Sequence, residues 1–252
     1  MIVVKTPEQI EKMRVAGNLV AQTLDLVEAT GRPGVKTAAL DAMAEEFIRS
    51  HGGEPAFKGY LDYPATLCIS IDDEVVHGIP GERELREGQI VSVDVGVCWQ
   101  GWYADAARTL QIGPVPAAAA RLLLVTQEAL RRGIAQARHG NRLGDISAAV
   151  QTHAEENGYS VVRDLVGHGI GRKMHEEPQV PNFGRPHTGP ELKPGMVLAI
   201  EPMINAGAAR IQFDADKWTV RTVDGSLSAH FEHTVAVTDN GPDILTVVAG
   251  GV

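Results

Sequence analysis

Leu85-Arg86-Glu87-Gly88-Gln89-Ile90-Val91-Ser92-Val93-Asp94 aligns residue for residue with Leu192-Lys193-Pro194-Gly195-Met196-Val197-Leu198-Ala199-Ile200-Glu201, at an offset of 107. Each copy runs from leucine through a basic residue and a glycine into an apolar stretch that ends on a carboxylate. Upstream, Gly34, Leu40 and Gly52 align with Gly140, Ile146 and Gly158 at an offset of 106. Any two α/β stretches can be slid into partial register, so one match alone means little. Two distant segments sharing nearly one offset point to an internal repeat. The chain then reads as one domain over residues 1–252, built of similar halves at about 1–115 and 116–252 and related by a pseudo-twofold axis. In that arrangement Asp94 and Glu201 are equivalent and face each other across the axis.

The elements around these segments repeat in the same order. Thr6-Pro7-Glu8-Gln9 predicts a helix start, with Thr6 as cap, Pro7 in the first turn and Gln9 closing a capping box. Ile10, Met13, Gly17, Val20, Leu24 and Val27 follow at helical spacing until Gly31-Arg32-Pro33-Gly34 stops the helix. A second helix is expected from a Thr37 cap to Gly52-Gly53, then strands over 66–71, 90–97 and 105–112, with Pro114 and Pro116 ending the half. The second half restarts with helices over 117–137 and about 145–157. Strands are expected over 161–166, 196–201, 208–213, 218–223 and 230–237. Helix, helix, strands, twice over, predicts an α+β domain.

Composition narrows the function. Of 252 residues, 44% are hydrophobic and 22% charged, the balance of a globular protein with a real core. Acidic residues outnumber basic ones 32 to 23, which argues against a nucleic-acid binder. No apolar run approaches a membrane span. The N-terminal residues lack the basic and apolar regions of a signal peptide, and two cysteines, Cys68 and Cys98, make no disulfide framework, so a cytoplasmic location is expected.

Carboxylates in strands carry the chemistry. Val91, Val93, Val95 and Val97 share one strand face, while Ser92, Asp94 and Gly96 share the other. On this segment alone, a solvated outer face and a functional site explain the Asp equally well. Asp105 follows after ten intervening residues, a spacing that suits two strands of one hairpin with both carboxylates on one face. Two close carboxylates repel unless a cation or proton lies between them. Glu201 ends its strand, and Glu232 lies within the apolar run 230–237, where a buried Glu needs a partner. His168 sits in Gly167-His168-Gly169-Ile170-Gly171, whose glycines allow close backbone approach, and by itself it also reads as a loop histidine. Together Asp94, Asp105, His168, Glu201 and Glu232 form an oxygen-rich shell for one or two divalent ions of the Mn, Fe, Co or Zn type. Without thiolates it does not suit a structural zinc.

These residues sit in segments that closely resemble a known family. Val76-His77-Gly78-Ile79-Pro80, Asp94–x10–Asp105, Gly167-His168-Gly169-Ile170-Gly171, His175-Glu176-Glu177-Pro178, Ile200-Glu201-Pro202-Met203 and Phe231-Glu232-His233-Thr234 are similar to those of the bacterial-type type I methionine aminopeptidases. The resemblance covers nearly the whole chain. It implies the pita-bread fold, with a central curved antiparallel sheet covered by helices, and two divalent metal ions. By position, Asp94 would chelate one ion, Asp105 and Glu232 would bridge both, and His168 and Glu201 would complete the other. Glu201 would also shuttle the proton of the attacking water. His77 would lie near the substrate amine, and His175 would donate to the substrate carbonyl. Tyr60, Tyr63, Cys68 and Trp218 resemble the lining of the methionine pocket, although core packing accounts for such residues equally well. The implied reaction removes the initiator methionine of nascent chains and peptides, with a small residue preferred next. The implied setting is a monomer in transient contact with the ribosome.

Four positions depart from the family pattern: Phe57, Leu61, Met174 before His175, and His230, where a glutamine is common. His230 lies two residues before Glu232 and leads us to expect a pH-sensitive activity. Cys98 has no role. Three other readings compete. An Xaa-Pro aminopeptidase or dipeptidase of the same fold usually carries an upstream domain, whereas only two helices and a strand are expected before His77. Type II enzymes carry a large insertion between the glutamates, here 31 residues apart. A non-catalytic module on this fold loses ligands, and all five positions are filled here.

Overall fold

The computed structural model describes residues 1–248. Four helices, α1 (Pro7–Thr30), α2 (Thr37–Ser50), α3 (Ala117–Gln136) and α4 (Leu143–Glu156), cover strands that pair antiparallel throughout. The capping box at α1 forms as expected. Thr6 Oγ1 accepts from the Gln9 N–H, and Gln9 Oε1 accepts from the Thr6 N–H at 3.0 Å. The stripe Met13, Ala16, Val20, Leu24 and Val27 is buried, and α1 packs on the hairpin Ile90–Trp99/Trp102–Gln111. That hairpin turns at Gln100-Gly101, both at positive φ, the turn that matches strand twist. Val91, Val93, Val95 and Val97 lie in the core under α1 and α2, each buried valine contributing roughly 1.5–3 kcal/mol. A second core lies under α3 and α4, around Leu198, Ile200, Val235 and Val237.

The aligned segments adopt the same backbone. Gly34 and Gly140 both stand at φ +87°, and Gly88 and Gly195 both at +89°, a region open mainly to glycine. Lys36 bridges to Glu84 as Arg142 does to Glu191. The Gly34 N–H donates to the Leu85 carbonyl as the Gly140 N–H does to that of Leu192.

The halves join through two threonines. Thr109 Oγ1 accepts from the His230 N–H at 2.9 Å and donates to the His230 carbonyl at 2.8 Å. Thr234 Oγ1 accepts from the Asp105 N–H at 3.0 Å and donates to the Asp105 carbonyl at 2.7 Å. Between them the Glu232 N–H donates to the Ala107 carbonyl at 2.9 Å. Each half thus closes the other's backbone, and the seam carries Asp105 and Glu232.

Several sequence expectations are corrected. Thr37 does not cap α2. Lys36 occupies the cap position, and the Thr37 hydroxyl instead exchanges hydrogen bonds with the backbone of Gly81. The strand expected over 161–166 is only Ser160–Val161, and His168 lies in a strand of its own, Gly167–Gly169, rather than in a loop. The run 230–237 is not continuous. It breaks into Ser228–His230 and His233–Thr238, with Glu232 in the break, because the chain crosses there from one sheet to another. Helix α4 begins at Leu143, and Asp145 in its first turn accepts the Arg142 N–H at 2.7 Å. Short strands at Glu74–Val76, Glu176–Val180, Met203–Asn205 and Gly241–Ile244 had too little alternation to be foreseen. No described helix is long and apolar enough to cross a membrane.

Candidate metal centre and substrate pocket

On the strand face opposite the valines, Asp94 pairs with Ala107 and Gly96 with Asp105. The two aspartates are therefore diagonal neighbours on one face, as the spacing predicted. His168 arrives on the strand Gly167–Gly169, squeezed between its neighbours. A Cβ on Gly167 would stand 2.4 Å from the Ala199 carbonyl oxygen, and one on Gly169 2.3 Å from that of Glu177. Glycines flank the histidine because no side chain fits. Glu201 follows the adjacent strand, Val197–Ile200, and Glu232 enters from the break in the seam.

The five groups converge. His168 Nε2 lies 3.5 Å from Asp105 Oδ2 and 3.7 Å from Glu201 Oε1. Ligand atoms of Asp105, His168 and Glu232 all lie within 4.8 Å of one another. Asp94 Oδ1 and Glu232 Oε1 are buried with no hydrogen-bond partner. His168 Nδ1 lies 2.9 Å from the Gly169 carbonyl, which can only accept, so the proton sits on Nδ1 and the Nε2 lone pair points at the carboxylates.

The electrostatics describe the same cluster. Burial, then the repulsion of Asp105, pushes the Asp94 carboxyl well above its ordinary range. Burial followed by repulsion within the cluster does the same to Glu201 and Glu232. Asp105 is pushed up to about 7, chiefly by burial. Burial lowers His168 to about 4, which keeps its imidazole neutral. Four acids that cannot all ionise together, two orphaned oxygens and a neutral imidazole aimed among them fit divalent cations of the Mn, Fe, Co or Zn class.

A cavity of about 230 Å³ opens beside the cluster. Every site residue expected from sequence lines it: the five ligands, His77, His175, Tyr60, Tyr63, Cys68 and Trp218. The volume is below that of drug-sized sites, near what one side chain and its reacting groups need. Trp218 meets Tyr63 edge-on at 5.0 Å between ring centres, and Tyr63 is fixed from behind by its hydroxyl, 2.9 Å from the Leu67 carbonyl. Burial pushes the Cys68 thiol up, which suits a wall and not a nucleophile. His175 stacks on Tyr60, whose hydroxyl lies 2.8 Å from its Nδ1. Burial lowers both His77 and His175 to about 4. Phe57, Leu61 and Met174, three of the departures from the family pattern, also line the cavity, so they shape it directly.

His230 does not line the cavity. It is buried behind Glu201, with Nε2 3.6 Å from Glu201 Oε2. Burial pushes it down to about 3. A histidine held there does not change charge near neutrality, which runs against the pH-sensitivity its sequence position suggested. The sequence reading also missed Thr109 and Thr234. Their signal was a second alignment, Ala107-Arg108-Thr109-Leu110 with Glu232-His233-Thr234-Val235, at an offset of 125.

Comparison with known proteins agrees with this geometry. The model of metallopeptidase family M24 matches residues 11–239. A methionine aminopeptidase of Clostridium perfringens (strain 13 / Type A) is 53% identical over 98% of this chain and 100% of its own. The crystal structure of methionine aminopeptidase from Rickettsia prowazekii superposes with a TM-score of 0.97 at 46% identity, covering 98% of this chain and 100% of that one. The prolidase from Pyrococcus horikoshii OT3 shares the fold, with a TM-score of 0.80 at 22% identity, but this chain covers only 64% of it. The pita-bread architecture, the matched family model and the full-length likeness agree: the chain belongs to metallopeptidase family M24, among the bacterial-type methionine aminopeptidases.

Proposed function

We propose that this chain is a methionyl aminopeptidase that removes the N-terminal methionine of nascent proteins and peptides, using two divalent ions held by Asp94, Asp105, His168, Glu201 and Glu232. One observation carries the reading. A cluster of four carboxylates, Asp105 and Glu232 buried and Asp94 and Glu201 half-buried, with one neutral imidazole and two oxygens without a partner, adjoins a small aromatic cavity sized for one side chain. Asp105 and Glu232 stand on the seam between the halves, and with Asp94, His168 and Glu201 they would hold the ions. Fe, Mn, Co and Zn all accept such a set. Bound there, the ions supply Lewis acidity for the peptide carbonyl and lower the pKa of water.

The chain's own residues supply the rest. The Glu201 carboxylate, made more basic by burial, takes the proton of the attacking water and passes it to the leaving amine. With the Tyr60 O–H donating to His175 Nδ1, 2.8 Å away, the Nε2–H is free to donate to the carbonyl oxygen as charge develops on it. His77 lies beside the substrate amine and scissile bond. Tyr60, Tyr63, Cys68 and Trp218 receive the methionine thioether, which suits an aromatic slot. A bulky second residue would collide with the wall, so small ones are preferred. In this reading residues 1–252 work as one metallopeptidase domain and as a monomer in the cytosol. The substrates include chains at the ribosome surface, and the two free buried thiols suit a reducing compartment.

The test reconstitutes metal-free protein with Mn(II), Fe(II), Co(II) or Zn(II) and offers Met-Gly-Met, Met-Leu-Met and Gly-Pro peptides. Cleavage of Met-Gly-Met, with Met-Leu-Met resistant and Gly-Pro intact, is expected. Cleavage of Gly-Pro but not Met-Gly-Met would assign an Xaa-Pro enzyme. Silence on all three with every metal would favour a binding module.

A further inference from the structure

The strand Glu74–Val76 leads directly into His77, and the hairpin Ile211–Phe213/Val220–Thr222 carries Trp218 in its turn. Both side chains wall the cavity, their ring centres 6.2 Å apart. The backbone joins these two segments at few points, the Thr222 N–H donating to the Asp73 carbonyl at 3.0 Å among them. Register holds at Val220–Val76 and Arg221–Glu74, with an irregularity between the two pairs. Within the hairpin Gln212, Phe213, Ala215, Asp216 and Lys217 are exposed. Val220 packs with Val75 and Val76, but the turn that carries Trp218 is largely exposed and is not held in place by packing alone.

Arg221 is the anchor. Its Nε donates to Asp214 Oδ2 at 2.6 Å, its Nη1 to Asp73 Oδ1 at 2.9 Å and its Nη2 to Glu74 Oε1 at 2.6 Å. Asp214 belongs to the hairpin turn, while Asp73 and Glu74 precede His77, so one planar guanidinium spans both segments. Glu74 is buried and fixed on its own side by Arg83, at 2.6 and 2.7 Å, and by the Ile71 N–H at 2.7 Å. Asp216 stiffens the turn by accepting the Trp218 and Thr219 N–H groups, each at 2.8 Å.

We propose that Arg221 is a positioning residue that sets the width of the side-chain pocket by locking Trp218 against the strand leading to His77. It thereby governs selectivity for the first residue while touching neither substrate nor metal ligand. The proposal rests on the aminopeptidase reading.

The test compares wild type with Arg221→Met, Arg221→Lys and Asp214→Asn. It measures steady-state kinetics on Met-Gly-Met and Leu-Gly-Met, with Mn(II) affinity by calorimetry. Arg221→Met should raise KM for Met-Gly-Met about tenfold with kcat within about twofold, and should lower the Met-over-Leu preference several-fold. Mn(II) affinity should not move. Arg221→Lys should recover only part of the loss, because an ammonium cannot fork to three carboxylates. Unchanged KM and preference in Arg221→Met would overturn the proposal. So would a parallel loss of kcat and Mn(II) binding, which marks a general support of the fold. If Arg221→Met does not fold, Asp214→Asn, which cuts only the hairpin side, must raise KM about threefold. An unchanged KM there overturns the proposal too. A wild-type chain inactive on Met-Gly-Met with every metal would instead overturn the aminopeptidase reading, and this proposal with it.

Discussion

Asp105→Asn should make the metal-free protein more stable while weakening its hold on divalent ions. Burial pushes the Asp105 carboxyl from 3.8 up to about 7. The folded state therefore holds a proton that the unfolded chain gives up near pH 4. Stability is fully present below the unfolded value and is lost as pH rises toward the folded one. Keeping that proton against the unfolded chain's release of it costs the metal-free fold about 1–2 kcal/mol at pH 5, and ionising the buried carboxyl raises the cost to a few kcal/mol, roughly, at pH 8. Asparagine has nearly the same shape and no charge to bury. Its carbonyl keeps the place of Oδ1 beside Thr234, and its amide can donate to the His168 Nε2 lone pair, 3.5 Å from the oxygen it replaces. It also removes a charge whose repulsion raises Asp94, Glu201 and Glu232. In EDTA, the variant should melt above wild type, by several degrees at pH 8 and by less at pH 5. Mn(II) should raise the melting temperature of wild type and leave the variant nearly unmoved. A variant that melts at or below wild type at pH 8 in EDTA would refute the reasoning, as would an equal gap at both pH values.

Other perturbations separate the parts of the site. His175→Ala should lower kcat about 10²–10³-fold with Mn(II) affinity unchanged in calorimetry, since it removes a transition-state donor and no ligand. Thr234→Val and Thr109→Val each leave a buried backbone N–H and carbonyl of the opposite half unpaired, so each should cost about 1–3 kcal/mol in urea unfolding. His230→Gln should leave the pH–rate profile unchanged, because His230 is held at about 3 and is already neutral where the enzyme works. A profile that shifts in this variant would show that His230 titrates after all.

The helices and the central hairpin were legible because their signals are local. Thr6-Pro7-Glu8-Gln9 carries its own capping chemistry, and the valines from 91 to 97 alternate cleanly over a strand long enough to read. The Asp94–Asp105 pair followed from hairpin geometry alone. The equivalence of Asp94 and Glu201 followed from an alignment within the chain. What stayed hidden depends on long-range partners. Thr37 looks like a cap, yet its hydroxyl is claimed by Gly81, 44 residues away. The strand Gly167–Gly169 is three residues of glycine and histidine, a composition with low strand preference, and only its neighbours on both sides make it a strand. The break at Glu232 falls inside an apolar run because burial there comes from the seam and not from strand alternation. Arg221 shows nothing unusual in sequence, since its three carboxylates lie in two segments far apart along the chain.

The central claim is that four carboxylates and one histidine, drawn from both halves, hold two divalent ions at the floor of the methionine pocket. Crystals of the protein soaked in Mn(II), measured at the manganese absorption edge, test it most directly. Two anomalous peaks among Asp94, Asp105, His168, Glu201 and Glu232, with Asp105 and Glu232 touching both, are predicted. An absence of peaks there, or manganese held by other residues, would contradict the account.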